Sequence, residues 1–374
     1  MRLLVTGGGT GGHVYPALSV LEAFEPRPEL LWVGRVGGLE EPLVRRAGLP
    51  YQAIAAGGLR SMSWGERARN SAMLVRGFAQ AWQITGEFRP EVLFATGGYV
   101  TFPVGLAAWL RRIPIAIYLP DIVPGLAIRA LAPLANKVAV TAPESARWFS
   151  KKAVVTGYPV RGALLDAKPN IEARQSFGIP PDAKVLLVTG GSQGSHTLNE
   201  SVGLFLPEYV QLAHVLHVHG KSDAAWLVQQ RNALPAALRE RYLLFEYLHE
   251  KMADALLAAD LVVARAGASV LGEFPSAGLP AILVPFPVAG VNQEENARWL
   301  EARGGAVILT DERARMRLLP LVQELLTDDA RLARMREAMH SAAPRDAAAR
   351  IVAVLRGLAQ GQQQLVWQKG RGDG

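Results

Sequence analysis

Along this chain, short unbroken apolar runs alternate with longer stretches whose apolar positions recur every three to four residues. LLVTG (3–7), LLWVG (30–34), VLFATG (92–97), IPIAIYL (113–119) and KVAVTA (137–142) lack the polar alternation of a half-exposed strand. They read as parallel strands buried on both faces. Between them, PALSVLEAF (16–24) and NSAMLVRGFAQAWQITGEF (70–88) carry helical spacing. This order predicts a parallel sheet covered by helices, an α/β fold.

From about residue 156 the text changes. TGYPVRGALLDAKPNIEARQSFGIPPDAK holds several prolines and little strand character, which predicts an interdomain connection. The alternation then restarts with KVLLVTGG (184–191), AHVLHVHG (213–220), YLLFEYL (242–248), DLVVARAG (260–267) and PAILVPF (280–286). LLVTGGGTGGH (3–13) and LLVTGGSQGSH (186–196) are nearly the same text, so each half opens on its own first strand and glycine corner. The expectation is two doubly wound domains, 1–160 and 161–342. A helix over 343–360 should pack back toward the first, with a frayed tail over 361–374.

At 374 residues the chain has room for two cores, and its half-hydrophobic composition is globular. Cysteine is absent, which excludes disulfides, thiol nucleophiles and cysteine-ligated metal. The N-terminus reads as a strand rather than a secretory signal. VLFATGGYVTFPVGLAAWL is nearly uncharged, but Gly97, Gly98 and Pro103 interrupt it, so it is not read as a spanning helix. Forty Lys and Arg against 33 Asp and Glu give a net charge of +7, which favours anionic partners. The arginines are scattered and form no nucleic-acid module, so a membrane face or a phosphorylated substrate fits better than nucleic acid.

A glycine corner between strand and helix lets backbone approach a ligand, and the helix start offers unpaired N–H groups to an anion. Gly7, Gly9 and Gly12 satisfy G-x-G-x-x-G, yet the second strand ends on Arg35 where NAD wants an acidic residue. An NADP-dependent oxidoreductase stays open as an alternative, as does tight packing without a ligand. In RAGASVLGEFPSAGLP (265–280), Glu273 lies one turn inside a helix start, placed to accept from both hydroxyls of a ribose or simply to face solvent near the dipole. Asn292, Gln293 and Asn296 suit sugar hydroxyls, though Asn292 with Glu295 equally makes a capping box. Leu74, Val75, Phe78 and Trp82 share a helical stripe near Arg67, Arg69 and Arg76, with Trp109, Leu110, Arg111 and Arg112 beyond. That stripe is either core or an interfacial patch.

GGGTGGHVYPAL, GGYVTFP, GYPVR, GGSQGS, AGASVLGE, AGLPAILVPF and NQEENA, in this order over nearly the whole chain, resemble the MurG family. The resemblance implies a GT-B fold of two Rossmann-like domains facing a cleft. It implies inverting transfer of GlcNAc from UDP-GlcNAc to undecaprenyl-diphospho-MurNAc-pentapeptide, turning lipid I into lipid II, without metal or cofactor. It places the enzyme peripherally on the cytoplasmic face of the plasma membrane, against an anionic surface. His13 falls on the family's catalytic histidine, the general base that inverting transfer needs. Thr10, Gly11, Gly12, Gly98, Tyr99 and Asp121 fall on the acceptor side. Arg161, Ser192, Gln193, Gly194, Leu248, Ala268, Ser269, Val270, Glu273, Asn292 and Gln293 fall on the donor side. His196, the counterpart of His13, reads as a helix-start residue.

Two stretches depart from the family. Tyr118, Leu119, Pro120 and Asp121 stand where it usually has His-Glu-Gln-Asn, and Gly290 replaces a common acidic residue before the amide pair. A MurG-like enzyme with another lipid or glycan acceptor therefore stays open.

Overall fold

The apolar runs become the strands of two all-parallel sheets. The computed structural model describes residues 1–57, 64–165, 170–191, 193–288 and 292–370, of which the side chains at 64–72 and 362–370 are not described. The chain divides into two units, Met1–Pro159 with Asp346–Gly374, and Val160–Arg345. In the first, β1 (Arg2–Thr6), β2 (Glu29–Arg35), β3 (Tyr51–Ile54), β4 (Val92–Ala95), β5 (Ile115–Leu119), β6 (Lys137–Val140) and β7 (Ala153–Val155) form one sheet in the order β3-β2-β1-β4-β5-β6-β7. In the second, β8 (Val185–Thr189), β9 (His214–Val218), β10 (Tyr242–Phe245), β11 (Leu261–Ala264), β12 (Ala281–Leu283) and β13 (Ala306–Ile308) run β10-β9-β8-β11-β12-β13.

The central strands are apolar throughout because helices cover both faces: β4, β5, β8 and β11 are buried at every position. Leu3 of β1 lies between Leu30 and Val92, and Leu187 of β8 between Leu216 and Val262, so the two first strands have matching places. Strand order reverses beside β1 and again beside β8. Crevices at the carboxyl ends of strands open at such reversals, and ligands of doubly wound sheets sit there. Both glycine corners lie at these two positions.

β3, β7 and β13 were not among the expected strands. Each is an edge strand of three or four residues and only partly buried: β3 is interrupted by Gln52, and the apolar AVV of β7 and AVI of β13 are too short to stand out as strands. The segment read as a connection packs into the second unit instead. Its helix Asn170–Gln175 carries Arg174, 6% exposed, whose guanidinium meets Asp260 at 2.8 Å and the carbonyls of Ala258 and Pro181. The last helix, Ala347–Gly370, lies against helix Gly11–Glu22 and strands β4, β5 and β6. It runs to residue 370, beyond the expected start of a tail, since GQQQLVWQKG holds no proline and several good helix formers.

Candidate active site

β1 delivers the first corner. Gly7 and Gly8 are buried, Gly9 and Thr10 are exposed, and helix Gly11–Glu22 begins with Thr10 as an N-cap whose side chain makes no cap bond. A second turn, Gly97–Val100, follows β4 and interlocks with it. Gly8 N–H donates to the Gly97 carbonyl at 3.1 Å, and a Cβ on Gly98 would collide with the Gly8 carbonyl. Gly97 and Gly98 hold φ of 116° and 90°, which a side chain would strain as well. His13 lies between the two turns, its Nε2 3.0 Å from where a Cβ on Gly97 would stand.

The His13 Nδ1 lies 2.9 Å from the Gly8 carbonyl oxygen. A carbonyl only accepts, so Nδ1 carries the proton and Nε2 is the acceptor nitrogen. This is the tautomer a general base requires. Tyr99 is 45% exposed beside Gly98, and Asp121 follows β5 at the same end of the sheet. Of the four residues that depart from the family pattern, Tyr118 and Leu119 are 0% exposed and Pro120 is buried. The Tyr118 hydroxyl pairs with Thr141 Oγ1 at 2.9 Å, and burial holds it far above the ordinary tyrosine pKa. That departure is a change of core, except at Asp121.

The second corner, Gly190–Ser195, is built differently. Gly191 and Gly194 hold φ of 79° and 78°, and a Cβ on Gly194 would collide with the His219 carbonyl after β9. Gln193 is exposed, and Ser192 lies outside the described residues, as does Gly290. Ser195 caps helix His196–Gly203, its Oγ accepting from Leu198 N–H at 3.4 Å. Behind the cap stands Arg265, 9% exposed, at the end of β11. It donates to Ser195 Oγ at 2.9 Å, to the Val284 carbonyl at 3.1 Å and to Asp311 at 2.5 Å. Sequence reading passed over Arg265; the signal available was an arginine directly after the apolar LVVA run.

His196 is 73% exposed at its side chain and bonds Asp223 at 2.8 Å, not a backbone carbonyl. Asp223 also accepts from Asn199, which bonds the fully buried His217, and His217 in turn bonds Tyr242 at 2.7 Å. Burial drives the His217 pKa down to about 3. The two histidines share a sequence context and have different surroundings.

Helix Val270–Ala277 starts after β11, with Ser269 as N-cap, Ala268 and Val270 buried, and Val270 N–H turned back on the Gly267 carbonyl. Glu273 is brought to Arg161, 3.9 Å away, and Arg161 also donates to the His249 carbonyl at 2.9 Å, one residue past Leu248. Arg161, Leu248, Ser269 and Glu273 therefore gather in one place. Burial is the largest influence on Glu273 and raises its pKa, with Arg161 and a hydrogen bond from Ser269 pulling the other way. Asn292 is the N-cap of helix Gln293–Glu301 without a side-chain cap bond, so the capping box is not formed. Gln293 accepts from Phe286 N–H at 2.9 Å, and Asn296, 0% exposed, donates to the Ala266 carbonyl. Asn296 is a structural pin.

On helices Trp64–Phe88 and Thr101–Leu110, Val75, Trp82, Trp109 and Leu110 are exposed, whereas Phe78 packs on the core and Leu74 is half-buried. Arg111 stacks 3.9 Å from the centre of the Trp82 ring and Arg112 is exposed alongside. Arg67 and Arg69 fall where side chains are not described. Among the described residues no helix is long and apolar enough to cross a membrane.

Comparisons with known proteins bear on the family and the fold. Residues 3–140 match the glycosyltransferase family 28 N-terminal domain and 185–351 its C-terminal domain. A Moorella thermoacetica protein is 41% identical, covering 91% of this chain and 94% of its own, and a Roseiflexus protein is 39% identical with 83% of each covered. Both are named UDP-N-acetylglucosamine--N-acetylmuramyl-(pentapeptide) pyrophosphoryl-undecaprenol N-acetylglucosamine transferase. Among solved structures, Acinetobacter baumannii MurG superposes with a TM-score of 0.72 at 24% identity, covering 95% of this chain and 99% of its own. The UDP-GlcNAc 2-epimerase of Neisseria meningitidis superposes at 0.68 with 15% identity, covering 96% and 100%. With two doubly wound units of GT-B type and relatives this similar along most of its length, the chain belongs to glycosyltransferase family 28, in the MurG family.

Proposed function

We propose that this protein transfers N-acetylglucosamine from UDP-GlcNAc to undecaprenyl-diphospho-MurNAc-pentapeptide, with His13 as general base. The observation that carries the reading is the 2.9 Å contact of His13 Nδ1 with the Gly8 carbonyl, which in a neutral imidazole places the proton on Nδ1 and leaves Nε2 to accept. The acceptor hydroxyl gives its proton to Nε2 as its oxygen attacks the anomeric carbon. The bond from that carbon to the diphosphate oxygen breaks on the opposite face, configuration inverts, and UDP leaves with the added negative charge.

Donor binding is assigned to the second unit. Its corner at Gly190–Ser195 has a helix N-terminus in front and Arg265 behind, both favourable to a diphosphate. Glu273 accepts from the ribose hydroxyls, Leu248 lies at the base, and Asn292 with Gln293 lies by the sugar. Oxidoreductase chemistry with NADP at the first corner is disfavoured by Glu40, 1% exposed, whose Oε2 takes the Gly9 N–H at 3.2 Å. The Gly9 N–H that a pyrophosphate would use there is already held by a carboxylate.

The exposed Trp82, Trp109, Val75 and Leu110, with Arg76, Arg111 and Arg112, support peripheral association with an anionic membrane face, the cytoplasmic one that a UDP-sugar donor implies. The test is transfer of labelled GlcNAc from UDP-GlcNAc to the lipid-linked MurNAc-pentapeptide in detergent. Formation of the disaccharide lipid is expected. UDP-GlcNAc binding with no transfer to this acceptor would point to another lipid or glycan.

A further inference from the structure

Glu40 has a geometry that the glycosyl-transfer chemistry described above does not use. It stands at the start of helix Glu40–Arg46, 1% exposed, and both its oxygens accept from backbone: Oε1 from Arg35 N–H at 2.7 Å and Oε2 from Gly9 N–H at 3.2 Å. Two accepting oxygens are the pattern of a carboxylate. The corner is shaped around it, because a Cβ on either Gly8 or Gly38 would collide with the Glu40 carboxyl group. The Trp32 indole donates to the Gly7 carbonyl at 3.2 Å and closes the other side.

The Gly9 N–H and the Gly8 C=O belong to one amide. That amide receives the His13 Nδ1–H on its oxygen at 2.9 Å and gives its N–H to Glu40. A carboxylate at the N–H end polarises an amide and makes its oxygen a stronger acceptor, as chains of hydrogen bonds reinforce one another away from bulk water. We infer that Glu40 is a positioning residue for His13, holding the imidazole in its Nδ1–H tautomer through the Gly8–Gly9 peptide. The device resembles a carboxylate–histidine pair with one peptide group inserted. The two glycine corners also differ in what backs them: a buried carboxylate stands behind the first, and the Arg265–Asp311 ion pair behind the second. At the first corner the Gly8–Gly9 peptide is thus committed to orienting the imidazole.

The inference rests on His13 being the base, and three measurements keep the two apart. In ¹⁵N spectra of the histidine side chains, with the His13 signals identified by their loss in His13→Ala, the native enzyme should show Nδ1 protonated and Nε2 bare. Glu40→Gln keeps the shape but offers one accepting oxygen where two are needed, and should move His13 toward the Nε2–H tautomer. Its kcat should fall roughly ten- to a hundredfold, the scale seen when groups that orient a functional ligand are removed, with donor KM unchanged. In a His13→Ala background Glu40→Gln should cause no further loss of kcat, because residues acting as a unit are non-additive. Should Glu40→Gln fail to fold, Gly38→Ala displaces the same carboxylate from outside the corner and replaces it in each measurement. An unmoved tautomer, or kcat losses that multiply in the double variant, overturns the role of Glu40 while His13 stays the base. Near-normal kcat in His13→Ala removes the base itself, and the inference with it.

Discussion

His13 and Gly8 are joined by a 2.9 Å hydrogen bond from imidazole Nδ1 to a backbone carbonyl, whereas His196, at the matching place in the second unit, bonds the Asp223 carboxylate. Two nearly identical stretches of sequence therefore give their histidines different Nδ1 partners, a backbone carbonyl in one unit and a carboxylate in the other. His13→Ala is expected to lower kcat by roughly 10²–10⁴ with donor KM little changed. His196→Ala should keep most of its kcat. Steady-state kinetics of the two variants decide it: equal effects on kcat would refute the assignment.

Glu273 predicts a pH dependence of donor binding. Its pKa is raised, chiefly by burial, so protonation sets in at a higher pH than for an ordinary glutamate. In the unliganded protein the charged form is disfavoured by folding, so this group lowers stability above its raised pKa and ceases to do so as pH falls through it. A protonated Glu273 loses an accepting oxygen toward the ribose, so KM for UDP-GlcNAc should rise on mild acidification. Glu273→Gln should flatten that dependence, and Glu273→Ala should raise KM by one to two decades, since hydrogen bonds to a charged group are worth about 1.5–3 kcal/mol. A donor KM that is flat with pH in the native enzyme would contradict the role.

Arg265 should separate stability from donor affinity. Arg265→Met leaves Asp311 without its partner, and breaking a buried pair typically costs about 3–5 kcal/mol. The double change Arg265→Met with Asp311→Asn removes both charges and should restore much of the lost Tm. Donor affinity should stay weak in both variants, because the cation behind the Ser195 cap is missing from each. Recovery of donor binding in the double variant, measured by calorimetry with UDP-GlcNAc, would show Arg265 to be structural only.

Membrane binding should reside in the exposed tryptophans rather than in Phe78, which packs on the core. Trp82→Ser with Trp109→Ser is expected to reduce partition onto phosphatidylglycerol vesicles at least about tenfold, given 1.5–3 kcal/mol for a buried large apolar side chain. Tm should fall less than for a core substitution, because the two residues are 39% and 48% exposed. Co-sedimentation and thermal unfolding supply both numbers; a large fall in Tm with unchanged partition would mark the rings as core.

Much of this protein was legible before folding. Strands β1, β4, β5, β8 and β11 are buried on both faces, so each had to be an unbroken apolar run, and the duplicated LLVTGG text announced two doubly wound halves with equivalent corners. The residue types at those corners marked both as candidate anion sites and singled out His13 as a candidate base only through the family resemblance. What the sequence left open depended on groups distant along the chain. The edge strands β3, β7 and β13 exist because a neighbour offers hydrogen bonds, and their own composition says little. Glu40 lies 31 positions from Gly9, and Arg265 lies 70 from Ser195. Read linearly they are an ordinary acidic helix start and an ordinary arginine; only tertiary folding withdraws them from water and sets one behind each glycine corner. The same holds for His13 and His196, whose local text is almost shared. Both turn Nδ1 to an acceptor, but whether that acceptor is a peptide carbonyl or a carboxylate is chosen by the packing of turns and strands brought from elsewhere in the fold.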